Sequence, residues 1–176
     1  MKFSISNIAW MDHEDEAILP LLKQMGLDGI EVAPSRLFPE TVYKTPLEQL
    51  IKFRSYIDDL NLDLSSMQSL LYNTQDLFLF ESIEKRQALL NHIKLSIDFA
   101  SHLGIKNIVF GSPKNRIKGA LSNDAATMIA VSFFTELAEY SLARNIIIAL
   151  EANPSIYGGD YITSTDEAIK LIKEVS

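Results

Sequence analysis

Five short apolar or β-branched runs recur along the chain, each followed by a longer segment with apolar residues three and four positions apart. KFSIS (Lys2–Ser6), GIEVA (Gly29–Ala33), LDLSSM (Leu62–Met67), NIVFG (Asn107–Gly111) and NIIIALEA (Asn145–Ala152) read as strands. Leu47, Leu50, Ile51, Phe53, Tyr56, Ile57 and Leu60 lie on one face at helical spacing, as an amphipathic helix packed on a sheet requires. The same pattern predicts helices at about 13–25, 46–60, 81–103, 122–144 and 164–175. Thr45, Pro46 and Glu48 supply a cap, an N1 proline and an N3 carboxylate, and Ser164 with Glu167 forms a capping box. Gly26 and Gly104 stand where a helix ends in a left-handed residue before the next strand.

Strand alternating with helix predicts an α/β protein with a parallel sheet. Neither a linker nor a low-complexity stretch interrupts the pattern, so residues 1–176 read as one domain. A period of 30 to 45 residues also occurs in solenoids, but no repeated consensus accompanies it. Five βα units leave two architectures open: a doubly wound open sheet, which the length favours, or part of a closed barrel, whose eight units take about 250 residues.

Composition narrows the function. Of 176 residues 47% are apolar and 22% charged, as in an ordinary globular domain, and there is no cysteine. Disulfides, thiolate metal sites and a cysteine nucleophile are therefore excluded, which fits a reducing cytoplasm. The opening MKFSISNIAW lacks the apolar core of a signal peptide, and no segment reaches the roughly 18 apolar residues of a membrane span. The expected location is cytoplasmic, with no membrane partner. A net charge of −7 with scattered basic residues argues against nucleic-acid binding.

In parallel α/β sheets the chemistry sits at the carboxyl ends of the strands. Glu151 ends the apolar run IIIAL, so its carboxylate is solvated in a cleft, paired with a neighbouring base, or bound to a cation. Glu31 could bind a cation, a sugar hydroxyl or Arg36; Arg36 itself could meet an anionic substrate or simply be solvated. Trp10, after the first strand, suits a pocket wall or stacking on a sugar face, and Gln68 follows the third strand. GSPKNR at 111–116 offers Lys114 and Arg116 to a phosphate or a polyol, with a basic surface loop as the alternative. No P-loop, GxGxxG or HExxH follows a strand, and His13, His92 and His102 all fall in helices.

In order, SISNIAW, GIEVAPSRLFP, LSSMQSLLY, VFGSPKNR and LEANPSIYGGDYITSTDEA resemble successive blocks of the xylose isomerase-like TIM barrel family, in its sugar phosphate isomerase/epimerase branch. The resemblance implies a (β/α)8 barrel, here truncated to about five βα units. It also implies a divalent metal (Mn, Mg or Zn) and metal-dependent proton transfer next to a carbonyl of a sugar or sugar derivative. Glu151 matches the family's first metal-binding and proton-handling glutamate; Glu31 and Gln68 would orient the sugar, with Trp10 at its face, and Arg36, Lys114 or Arg116 would take an anionic group. The family's other ligands come from strands six to eight, so the metal is expected only with a complete barrel. Gln68 stands where DNA-repair members carry a histidine, which disfavours a multi-zinc endonuclease. The alternative is a catalytically inactive truncated barrel whose open edges are covered by a second copy or a partner chain.

Overall fold

The computed structural model describes residues 1–175. Its strands are β1 (Ser4–Ser6), β2 (Gly29–Val32), β3 (Asp63–Met67), β4 (Asn107–Phe110) and β5 (Ile147–Leu150). The helices between and after them are α1 (Asp15–Gln24), α2 (Pro34–Leu37), α3 (Leu47–Asp59), α4 (Ile83–His102), α5 (Asn123–Leu142) and α6 (Thr165–Val175). All five strands are parallel and lie in the order β1-β2-β3-β4-β5. A doubly wound sheet reverses its order at a switch point; this one never does. Because βαβ crossovers are right-handed, steps that always advance in one direction put every crossover helix on the same face. The architecture is therefore a partial TIM barrel, and the open-sheet alternative falls.

Side-chain alternation explains the layering. Ile30 and Val32 of β2, Leu64 and Met67 of β3, and Ile108 and Phe110 of β4 are buried in one cluster with Ile57 of α3, Ile93 and Ile97 of α4, and Phe134 and Leu137 of α5. Phe110 meets Phe134 edge-on at 5.3 Å, a favourable aromatic geometry. The opposite, concave face is largely polar: Ser4 and Ser65 share a hydrogen bond of 2.7 Å, and Ser66 donates to Glu31 at 2.8 Å. A register shift between Ile30 and Glu31 sets Glu31 opposite Ser66 and so makes that second bond.

Two of the expected helix boundaries need comment. Gly26 and Gly104 adopt the left-handed region as expected, at φ 84° and 71°, but Asn61 and Asn145 do the same before β3 and β5; asparagine tolerates that conformation through its short polar side chain. Thr45 is not the cap of α3. Its hydroxyl donates backward to the Val42 carbonyl at 2.6 Å, closing a short turn, and the N-cap position is held by Pro46.

Gly29 is required where β2 and β3 touch: a Cβ there would lie 2.5 Å from the Asp63 carbonyl oxygen, a backbone atom that cannot swing away. Gly29→Ala should destabilise the fold by about 1–3 kcal/mol, as overpacking does. A thermal melt of the variant that superimposes on the wild type would contradict this.

His92 of α4 is half-buried, with Nε2 3.0 Å from the Leu70 carbonyl and its ring edge-on to Tyr43 at 5.0 Å. Burial holds its pKa below the ordinary value, opposed by the Leu70 bond. Neutral His92 is thus favoured in the fold, so its contribution is present above an ordinary histidine pKa and is lost as pH falls through the depressed one. Tm should drop between pH 7.5 and 5 by less in His92→Gln than in the wild type; parallel curves would remove His92 from the acid sensitivity.

Candidate active site

The five strands deliver their following loops to one rim. There Gln68, Ser69 and Tyr72 after β3, Gly111, Ser112 and Lys114 after β4, and Glu151, Asn153 and Tyr157 after β5 line a cleft of about 1090 Å³. Glu151 sits one residue past β5; its N–H donates to the Phe110 carbonyl at 3.1 Å, prolonging the ladder, and its side chain is exposed to the cleft. The carboxylate comes so close to Gly111 that a Cβ at that position would collide with Oε2. Glycine after β4 thus leaves room for this position of the carboxylate, which with a Cβ there would have to swing aside.

Beneath this rim lies Arg116, fully buried. Its Nη2 donates to the Glu151 carbonyl at 2.8 Å, to Asn153 Oδ1 at 2.7 Å and to the Ile162 carbonyl at 3.4 Å. Desolvation pulls its pKa down to about 10, against the opposing pull of Glu151 and Tyr161, and Nε and Nη1 have no hydrogen-bond partner. Asp160 reinforces the same strap by accepting the N–H groups of Lys118 and Gly119 at 2.6 and 3.0 Å. The loops after β4 and β5 are tied together from below.

Only part of the expected set meets in this cleft. Glu151, Gln68 and Lys114 line it: Gln68 donates to Ser6 Oγ at 2.7 Å, while Lys114 is exposed with its stem near Gly158. Arg116 is buried rather than presented to solvent, with Nη2 donating to the loop acceptors. Glu31 lies lower on the concave face, bonded to Ser66 rather than to Arg36. Arg36 instead pairs with Asp15 at 2.6 Å and lies over the Trp10 ring, 5.6 Å from its centroid; Trp10 Nε1 donates to the same carboxylate at 2.7 Å. Its positive charge is already matched within the protein.

Tyr72 and Tyr157 on the cleft lie on loops where periodicity carries no signal. Asp15 could have been noticed as the acid opening the first helix.

A divalent cation would need more donors than this cleft supplies. Among the described residues no three His, Cys, Asp or Glu side chains gather, and Glu151 is the single acidic group on the cleft. One carboxylate does not hold such an ion, so the described residues do not fit a metal, and no chemical step is routed through one.

The sequence profile of the xylose isomerase-like TIM barrel family matches residues 19–176. No curated protein sequence matches. Among solved structures, D-psicose 3-epimerase determined in the presence of D-fructose aligns with a TM-score of 0.76 at 15% identity, over 100% of this chain and 60% of its own. D-psicose 3-epimerase from Clostridium cellulolyticum H10, determined with D-tagatose, gives the same values. An IolI protein with a bound zinc atom aligns with a TM-score of 0.72 at 17% identity, over 99% of this chain and 59% of its own. The chain therefore spans about 60% of the length of these structures, and at such identities they establish the fold. No helix among the described residues is long and apolar enough to cross a membrane.

Proposed function

The chain belongs to the xylose isomerase-like TIM barrel family, and from that premise we propose that its cleft binds a sugar or sugar derivative and that Glu151 moves a proton on the carbon beside the substrate carbonyl. The observation that carries this reading is the placement of Glu151: an acid at the carboxyl end of a barrel strand, exposed on the cleft beside Gly111. A carboxylate so placed can take a proton from a carbon next to C=O and return it, from the same side, to the neighbouring carbon of the resulting enediol, which is isomerisation; epimerisation would need a second acid on the opposite face to deliver the proton there. Gln68 offers its amide to hydroxyls, and Lys114 gives an anionic substituent such as a phosphate its counter-charge.

The test is deuterium uptake from D₂O at the carbon beside the carbonyl of D-fructose, D-tagatose and D-psicose, followed by NMR. Uptake above the buffer rate supports the reading; none with any of the three sinks it.

A second reading has its own observation. Along the β5 flank Ile147, Leu142 and Ile172 are 63%, 76% and 51% exposed, beside a hollow of about 480 Å³ walled by α5, β5 and α6. A binding role through self-association would cover this apolar row. Light scattering reads it directly: a dimer that Ile147→Asp dissociates supports the second reading, and a monomer at all concentrations removes it.

A further inference from the structure

The segment after β5 has a free tip on a fixed base. At the base, Asn153 N–H donates to the Ile162 carbonyl at 3.2 Å and Arg116 holds Asn153 Oδ1. Asp160 accepts the N–H groups of Lys118 and Gly119, and Gly159 lies so close to the loop after β4 that a Cβ on it would stand 2.8 Å from Pro113 Cβ. Between these anchors residues 154–158 are all exposed. Their hydrogen bonds run from Tyr157 N–H to the Pro154 carbonyl and from Gly158 N–H to the Ser155 carbonyl, both at 2.9 Å, and so close the tip on itself. A turn bonded to itself and not to its surroundings opens at low cost and moves as one body. Gly158, in the left-handed region at φ 85°, supplies the torsional freedom at one end, and ψ of Pro154 supplies it at the other.

The tip carries apolar surface out into water: Ile156 is 87% and Tyr157 62% exposed. Tyr157 lines the Glu151 cleft, and so do Ile8 after β1 and Tyr72 after β3, themselves 57% and 71% exposed. Large side chains left in water around one cleft gain by meeting across it. The proposed chemistry has a use for that meeting, since an enediol formed beside Glu151 is protected only where water is kept out. We infer, building on the proposed proton transfer at Glu151, that residues 154–158 are a lid: with a sugar in the cleft the tip swings over Glu151 and brings Ile156 and Tyr157 onto Ile8 and Tyr72. Closure puts an apolar cover on the carboxylate and the sugar, while the base held by Arg116 and Asp160 stays in place.

The chain has no cysteine, so two introduced cysteines report on each other alone. Ile156→Cys and Tyr72→Cys are combined in the intact chain, the protein is oxidised with and without D-fructose, and the bridge is read by peptide mass. A disulfide needs Cα atoms within about 7 Å, so its yield reads how often the tip reaches the opposite lip. Ile156→Cys paired with Lys52→Cys, exposed on α3, is the control. The 156–72 bridge should form within one chain, hold deuterium uptake at the buffer rate, and release it again on reduction with dithiothreitol. Ile156→Ser, at a position too exposed to threaten folding, should slow uptake by up to about 10²-fold with the melting temperature unchanged. No bridge within a chain, a bridge as abundant with position 52, or undiminished uptake in Ile156→Ser would overturn the inference. Uptake that needs Glu151 but neither Ile156 nor closure would refute the lid and leave the Glu151 reading standing. A specific 156–72 bridge in a chain that takes up no deuterium would uphold the closing motion and end the Glu151 reading.

Discussion

Glu151→Gln should reduce deuterium uptake by about 10²- to 10⁴-fold, the range a positioned general base contributes, while the melting temperature stays within a degree or two. The substitution keeps the size of the side chain and removes only the proton-accepting carboxylate. The Glu151 main chain is unaffected, so its carbonyl still receives Arg116 and its N–H still reaches Phe110. Gly111→Ala should lower the rate by a smaller factor, because the added Cβ would occupy the space of Oε2 and the flexible carboxylate would have to swing aside. Undiminished exchange in Glu151→Gln would end the assignment of that residue. If only Gly111→Ala were unaffected, the close approach would be incidental.

Arg116→Ala should be the most destabilising loop substitution, by about 2–4 kcal/mol. Two effects compete. Removing the guanidinium leaves the Glu151 carbonyl and Asn153 Oδ1 without this donor, while the Ile162 carbonyl keeps the Asn153 N–H; this costs about 1–3 kcal/mol for each acceptor that stays buried, and a cavity opens where a large side chain was fully enclosed. Against this, a cation with two unpartnered nitrogens no longer has to be kept out of water. The lost bonds and the cavity outweigh that relief because two acceptors and the whole side-chain volume are involved. Arg116→Met, which fills the volume without the charge, should fall between the two. Thermal melts give the order, and amide exchange at Lys118 and Gly119, whose N–H groups Asp160 accepts, shows whether the strap between the two loops has opened. Equal stability of all three proteins would mean that the burial of Arg116 contributes nothing net.

Much of the fold is legible in local pattern. A strand buried on its helix-facing side shows itself in runs such as NIVF, and a packed helix shows itself in the recurrence of Leu50, Phe53, Ile57 and Leu60. Each expected strand and helix is found, within two residues at its ends. The position of Glu151 followed from the same reasoning, since a carboxylate closing an apolar strand needs an opening to face. Local pattern missed Thr45, whose hydroxyl turned back to Val42, and the left-handed Asn61 and Asn145, since a cap depends on backbone torsions that residue type only biases.

The sequence by itself determined the alternation of elements, the acid at the end of the fifth strand and the resemblance to a barrel family. Only the tertiary structure decided that the strands follow one another without reversal, that Arg116 lies under the rim instead of on it, and that Arg36 answers Asp15 while Glu31 answers Ser66. The reason is one of range. Periodicity reflects burial over a few residues, whereas the partner of a charged side chain is chosen among groups 21 to 46 residues away, which come together only when the strand ends are brought to a common rim.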